Sequence, residues 1–372
     1  MSLVPTVHLP DDLAAALTRR LAATAPTQAS AQVDRLIEHY RGATPTAAPV
    51  LRDAADAAAY AAYRMPATYA AARSALAALH ARTAGWTPAT HLDLGGGTGA
   101  ARWAVGDVWP GADGPAGTVL DWSAAALDLG RALAADSATP SVRTTTWTRA
   151  PLSGAPALPA ADLVTVSYVL GELTTGDRAA LVEAAAAATR PGGVALVAEP
   201  GTPDGYARII GARDRLVAAG FTVLAPCPHS GPCPVTGTDW CHFAARVHRS
   251  ALHRQVKGGT LPYEDEKFSY VAAARPAGPG DSAEASGSAG SAEVTGSAAV
   301  PAANRVVRHP QTRKGQVLLD LCAAAGDLTR TTVSKRQGPL YREARDARWG
   351  DPWPPDQPPA GPGPATDSAD PR

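Results

Sequence analysis

The chain has 372 residues, enough for one large domain with appendages or two modest ones, and at 45% apolar it can build a full core. Its 34 basic side chains equal its 34 acidic ones, which excludes a chain drawn onto nucleic acid by its overall field; any such contact must use local patches. No stretch of about 18 apolar residues occurs, and the first twenty residues lack a basic start and an apolar run, so neither a membrane span nor a secretory signal is expected.

Residues 11–83 read as helices. DDLAAALTRRLAA, AQVDRLIEHYRG, LRDAADAAAYAAYRM and PATYAAARSALAALHAR place apolar residues three or four apart, with Asp at several starts. An N-terminal helical region over 1–85 is expected. From residue 89 short β-type runs alternate with helical ones. The predicted strands are 90–94, 117–121, 141–147, 161–167, 194–199 and 221–225, with a last one at 268–274. The predicted helices between them cover 100–109, 123–135, 177–190 and 204–220. This alternation predicts an α/β fold with a doubly wound, Rossmann-like parallel sheet over 86–275. Residues 276–303 carry almost no large apolar side chains and read as a disordered linker. Order is expected again over 304–350, as a hairpin and a short further element, before a disordered tail over 351–372.

HLDLGGGTGAARWA (91–104) is the sharpest local motif: a strand, glycines at 95, 96, 97 and 99, then a helix. Glycines there permit positive φ and close approach of a ligand at the carboxyl edge of the sheet. The same turn would serve another nucleotide-binding α/β protein, but the register is not the dinucleotide G-x-G-x-x-G. With Asp93 before the loop, Asp121 ending the next strand and RPGG at 190–193, the region resembles class I S-adenosylmethionine-dependent methyltransferases. That resemblance implies a cofactor site of Asp93, Gly95, Gly97, Gly99 and Asp121, the last toward the ribose, with Ser167 and Tyr168 bordering cofactor and substrate. No catalytic signature accompanies it. SYVLGEL stands where base N-methylating enzymes carry an [N/D]-P-P-[Y/F] tetrad, and no Pro-Cys pair stands at strand four or five. Glu172 and Glu199 are candidate bases, although helix starts and capping explain such acids equally well.

Three of the four cysteines fall in PCPHSGPCPVTGTDWC (226–241), as Cys227, Cys233 and Cys241; Cys322 is distant. In a cytoplasmic protein clustered cysteines bind metal or do chemistry more often than they form disulfides. The spacing is neither a zinc ribbon nor a ferredoxin run. Four unligated, buried thiols are the plain alternative, but a loop stiffened by Pro226, Pro228, Pro232 and Pro234 has few ways to bury three thiols except around something. Four thiolates suit tetrahedral zinc or a four-iron cluster, and His229 and His242 keep a mixed-ligand zinc site open.

PCPHSGPCP, DWCHFAARVHRS, HRQVKGGTLPYEDEKFSYV, RVVRHPQTRKGQVLLDLC and YREARDARWGD together resemble the family of the mitochondrial small-ribosomal-subunit protein Rsm-twenty-two and methyltransferase-like protein seventeen. The resemblance runs from about Tyr63 to Asp351. It implies a methyltransferase fold, association with the small ribosomal subunit and its rRNA, and a [4Fe–4S] cluster held by Cys227, Cys233, Cys241 and Cys322, with zinc as the alternative occupant. A cluster spanning 241 and 322 would staple the C-terminal extension to the core. Two basic stretches fit an RNA partner: 242–257, with four cations and no acid, and 305–349, with ten Arg or Lys against four acids. The expectation is a bacterial, cytoplasmic methyltransferase-fold protein that acts on or chaperones the small subunit, with no DNA or membrane partner. A non-catalytic assembly factor is the rival.

Overall fold

The computed structural model describes residues 4–22, 31–33, 35, 50–111, 114–153, 158–251, 253–254, 260–277 and 300–355. Most of the helix expected at 31–42, most of the 276–303 linker, and the tail beyond 355 lie outside the described residues.

A two-residue strand, β1 (Thr6–Val7), and helices α1 (Asp11–Leu21), α2 (Ala54–Tyr63) and α3 (Met65–His80) precede the alternating part. Then follow β2 (Thr90–Leu94), α4 (Ala100–Val108), β3 (Ala116–Asp121), α5 (Ala124–Ala135), α6 (Pro140–Arg143), β4 (Thr146–Arg149) and β5 (Ala161–Ser167). The series continues with α7 (Thr175–Ala188), β6 (Thr189–Pro200), α8 (Pro203–Ala218), β7 (Thr222–Ala225), β8 (Phe243–His248) and β9 (Tyr263–Ala274). Ser123, Thr174 and Thr202 cap α5, α7 and α8 through their side chains, each accepting a backbone N–H of the first turn. No described helix is long and apolar enough to cross a membrane.

Strands β4, β3, β2, β5 and β6 run parallel in that order, and β9 closes them antiparallel against β6. The strands alternate between two cores. Val194, Leu196 and Ala198 of β6 face α3 and α4, whereas Ala195 and Val197 face α7 and α8. The N-terminal helices are therefore not a region apart. Met65, Tyr69, Leu76 and Leu79 of α3 are buried in the same cluster as Trp103 of α4 and Phe268 of β9.

The strand expected at 141–147 is corrected. Pro140–Arg143 is a helical turn, and pairing begins only at Thr146. Proline at the first position fits a helix start. The fully buried Arg102 pins the segment by donating to Ser141 O (2.6 Å), Thr145 Oγ1 (3.0 Å) and Pro115 O (2.6 Å).

Both β7 and β8 pair with β9 from the same side, Ala225 opposite Ala272 and Phe243 opposite Phe268. The cysteine loop is thus an excursion between two segments lying end to end along one edge of β9. After residue 300 comes a second sheet: β10 (Asn304–Val306), β11 (Gln311–Arg313), β12 (Gln316–Ala323) and β13 (Leu328–Ser334), followed by α9 (Pro339–Asp346). It is larger than a hairpin: β10, β11 and β13 all pair antiparallel with β12 around a small core of Val306, Val317, Leu319, Leu321 and Val333. Residues 351–355, expected in the disordered tail, pack here instead. Trp353 is 4% exposed, its N–H donates to Asn304 O (2.9 Å), and Asn304 Nδ2 returns a bond to Trp353 O (2.8 Å).

Candidate cofactor cleft and four-thiol centre

A cleft of about 890 Å3 opens at the carboxyl ends of the parallel strands, the side on which doubly wound sheets bind ligands. Gly95, Gly97, Asp121, Ser167 and Tyr168 line it. Asp93 and Gly99 do not. Asp93 is fully buried behind the loop, where its Oδ1 accepts from Thr165 Oγ1 (2.7 Å) and burial pushes its carboxyl up to about 7. Gly99 has φ +85°, and a Cβ there would strike the Trp147 ring at 2.6 Å, so its role is packing.

Gly97 is different. Its φ is +53°, and a Cβ would meet nothing closer than Asp121 Oδ2 at 3.7 Å, so the backbone is bare toward the cleft. Asp121 Oδ2 accepts the Gly97 N–H (2.9 Å) and its Oδ1 accepts the Ser123 N–H (2.8 Å). Burial raises this carboxyl to about 6 against the pull of those backbone donors. One carboxylate therefore holds the glycine loop in place and faces the space that the loop leaves open.

The opposite wall begins at Tyr168, the one described residue other than glycine at positive φ (+61°). That strained backbone sends its hydroxyl to donate to Glu266 Oε1 (2.9 Å). Arg64 clamps the same carboxylate in bidentate fashion at 2.7 and 2.8 Å and lies over the Tyr168 ring. Burial opposes the Arg64 charge, but Glu266 more than restores it. Neither Arg64 nor Glu266 was legible as a site residue; they lie 202 positions apart and no local motif links them.

The two candidate bases separate. Glu199 is fully buried, accepts from Leu170 N (3.1 Å) and Arg208 Nε (2.5 Å), and serves as an anchor. Glu172 lines the cleft with no hydrogen-bond partner among the described residues. Desolvation, then Asp121 and Glu199, raise its carboxyl to about 8.

Helix α8 forms a wall of this cleft with Arg208 and Gly211, and its other side, with Ile209 and Arg213, borders a second cavity. All four cysteines line that cavity: Cys227, Cys233 and Cys241 from the loop, Cys322 from β12. All are free thiols. Burial first, and then the neighbouring thiols, raise Cys241 well above its ordinary value; the same causes push Cys322 up to about 12. Cys227 is raised by burial and partly relieved by Arg213.

Polar bonds hold the loop in place. Arg213 donates to His229 O (3.1 Å) and Gly231 O (2.5 Å), Ser269 Oγ to Cys241 O (2.7 Å), and Trp240 Nε1 to Gly201 O (3.0 Å). The C-terminal sheet docks in the same way. Arg305 Nε donates to Pro226 O (2.9 Å), Arg308 pairs with Asp239, and Cys322 Sγ lies 3.5 Å from His229 Nε2.

The donor set itself, four soft thiols lining one cavity beside two buried guanidiniums, fits a thiolate-held metal centre: buried thiolates that repel one another would be stabilised by a cation among them. Among the described residues, no three His, Cys, Asp or Glu side chains stand close enough to hold one ion. The cavity that the four thiols line together with Tyr206, Phe243 and Tyr270 has a volume of about 30 Å3.

The basic stretches look different in three dimensions. Arg246 of β8 and Arg249 just beyond its end pair with Asp265 and Glu264 of β9. Arg330 pairs with Asp320, and Arg305 is buried.

Comparison with known proteins bears on this arrangement. A family model described as "Mitochondrial small ribosomal subunit Rsm22" matches residues 54–354. The human protein named "Ribosome assembly protein METTL17, mitochondrial" is 30% identical over 308 residues, 78% of this chain and 61% of that protein. The Schizosaccharomyces pombe "Rsm22-cox11 tandem protein 2, mitochondrial" is 27% identical over 187 residues, 44% of this chain and 25% of that one. The chain thus spans about three-fifths of the first relative and a quarter of the second. Among solved structures, an O-methyltransferase family protein from Burkholderia thailandensis is 17% identical, with 66% of this chain and 69% of that one covered and a TM-score of 0.38. A superposition that loose carries no argument about chemistry.

Proposed function

Because this chain belongs to the mitochondrial small ribosomal subunit Rsm22 family, we propose that it is an assembly factor of the small ribosomal subunit, acting in the bacterial cytoplasm. It would bind S-adenosylmethionine in the cleft and hold a [4Fe–4S] cluster, or zinc in its place, among Cys227, Cys233, Cys241 and Cys322. The observation that carries this proposal is the convergence of those four thiols, from two chain segments far apart in sequence, on one cavity that shares α8 with the cleft.

Gly97 and Asp121 support the cofactor reading. A bare backbone beside a carboxylate can receive a sugar whose vicinal hydroxyls donate to that acid. When bound, S-adenosylmethionine supplies an electrophilic methyl group. Arg64 and Glu266 would fix Tyr168 at the far wall, and Glu172, its carboxyl raised to about 8, would face the cleft still holding its proton near neutral pH. A bound cluster or zinc would supply positive charge for the thiolates and tie the C-terminal sheet to the core.

A second reading, an assembly factor that binds the cofactor without transferring its methyl, is favoured by Tyr168. The side chain at the expected substrate border is committed to Glu266. Radiolabelled methyl transfer to immature small subunits separates the two.

The test of the shared part is sedimentation of the tagged chain in gradients of cell extract, with calorimetry against S-adenosylmethionine beside it. Co-migration with small-subunit precursors and saturable binding are expected. A chain that stays at the top of the gradient refutes the ribosomal reading, and absence of heat refutes the cofactor reading.

A further inference from the structure

The geometry points to a phosphate-binding tip at the end of the C-terminal sheet farthest from the thiols. We infer that Arg313, Lys314, Lys335 and Arg336 grip the backbone of double-helical RNA. The inference rests on the ribosomal reading and narrows it from two broad basic stretches to four side chains.

Five of the fourteen cations in those stretches are already spent. Arg246, Arg249, Arg308 and Arg330 each hold a carboxylate, and Arg305 is buried beneath Pro226 and Gly350. Arg313, Lys314, Lys335 and Arg336 are all exposed and have no acidic partner among the described residues. Arg342, Arg345 and Arg348, on and just after α9, are likewise exposed without an ion pair among the described residues, and what sets the first four apart is the strand register that holds them side by side.

They are also together. Arg313 lies opposite Gln316 across the β11–β12 turn, which Gly315 makes at φ +72°. Gln316 lies opposite Ser334 on β13, and the Lys335 N–H donates to Gly315 O (2.8 Å). The turn carrying Arg313 and Lys314 is therefore bonded to the segment carrying Lys335 and Arg336. The Ser334–Gln337 capping box fixes that segment in turn. Adjacent strands stand about 4.8 Å apart, so four positive charges share a rigid patch on the scale of successive phosphates.

Strand β12 sets the reach. Cys322 is at its inner end and Gln316 at its outer end, six residues or about 20 Å away. The sheet is rooted at the thiol cavity and presents its charge outward.

The chemistry of the tip selects the partner. Its remaining exposed side chains are Gln311, Thr312, Gln316 and Gln337, with no aromatic ring on which an unpaired base could stack. No large apolar side chain is exposed there to enter a lipid surface either. What it offers is charge without base readout, which suits the phosphates of a duplex.

The test uses the full chain and an arbitrary RNA duplex of about 20 base pairs, with affinity followed by fluorescence anisotropy between about 50 and 200 mM salt. One variant replaces all four residues by Gln (Arg313→Gln, Lys314→Gln, Lys335→Gln, Arg336→Gln). A second replaces all four by Glu. Asp320→Asn with Arg330→Gln, which removes a spent pair, is the control. The slope of log affinity against log salt should be shallower by about 3 in the Gln variant, at roughly 0.7–0.9 per lost phosphate contact. Binding should be lost in the Glu variant, and the control should match the parent. Circular dichroism verifies that each variant is folded. A parent that binds while both tip variants bind equally well overturns the tip and leaves the ribosomal reading standing. A parent that binds no RNA overturns both. Preference for a single strand over the duplex, or binding to phosphatidylserine vesicles in place of RNA, also overturns the assignment.

Discussion

Arg208 and Arg213 stand five positions apart on α8 and serve opposite sides of it. Arg208 Nε donates to Glu199 Oε2 at 2.5 Å in the cleft wall, and Arg213 Nη2 donates to Gly231 O at 2.5 Å within the cysteine loop. Five residues turn a helix by about 140° beyond a full circuit, which places one guanidinium in each compartment. The helix is a partition between the glycine-loop cleft and the thiol cavity, and substitutions on its two faces should separate.

Arg213→Met removes the donor to His229 O and Gly231 O and leaves two carbonyls without a partner, at about 1–3 kcal/mol for each that stays buried. The variant should lose metal and become sensitive to protease at 226–241, while its affinity for S-adenosylmethionine stays within about twofold. Equal loss of cofactor binding would show that α8 does not insulate the two sites.

Asp121→Ala should weaken S-adenosylmethionine binding by about 1.5–3 kcal/mol, because it deletes a charge-assisted acceptor and frees the Gly97 N–H. Gly97→Val should abolish binding yet fold, with about 1–2 kcal/mol of backbone strain, since its side chain meets open space near Asp121. Calorimetry and thermal melts read both. Unchanged affinity in either variant would move the cofactor out of the 95–99 loop.

Glu172 gives a pH signature. Its carboxyl is raised to about 8 in the folded chain, against roughly 4.3 when unfolded. The folded state therefore holds a proton that the unfolded state releases, and stability contributed by this group is lost as pH rises through that window. Glu172→Gln removes the effect. Its melting temperature should equal the parent's near pH 4.5 and exceed it near pH 8.5, by on the order of 1–2 kcal/mol of stability. A gap that is constant with pH would place this carboxyl in water.

Trp353→Ala should open the C-terminal sheet. The indole closes a core with Val306, Leu319 and Val333, and truncating a buried Trp costs about 3–5 kcal/mol. Limited proteolysis should then cut between 304 and 350 while 86–275 stays intact. An unchanged digest would mean that 351–355 is dispensable.

Legibility in the sequence followed how local the cause was. The parallel strands announced themselves because strands buried on both faces read as short apolar runs, and 90–94 and 161–167 match to the residue. The segment at 141–147 misled because Val142 and the threonines suit a strand, whereas Pro140 and the distant Arg102 decide for a helical turn. The glycine loop was legible, but which glycine is bare toward the cleft was not: only the contact of Gly99 with Trp147 and the open side of Gly97 separate them. The Arg64–Glu266–Tyr168 wall joins three distant segments. The basic stretch at 242–257 was counted without the acids of β9 that lie across from it, since pairing partners cannot be counted along one strand.

The most direct test of the thiol centre is metal content of the protein purified without oxygen, parent beside Cys322→Ser, with limited proteolysis of both. The parent should be brown and carry about four irons per chain. Cys322→Ser should lose that iron, because a hard serine oxygen replaces one thiolate and opens the site to solvent. Residues 304–350 should then become protease-sensitive, although the substituted position lies 81 residues beyond Cys241. One zinc per parent chain would replace the cluster and keep the four-thiol site. A parent free of both metals, or a Cys322→Ser variant with full metal and an unchanged digest, would contradict a metal centre that joins the two parts of the chain.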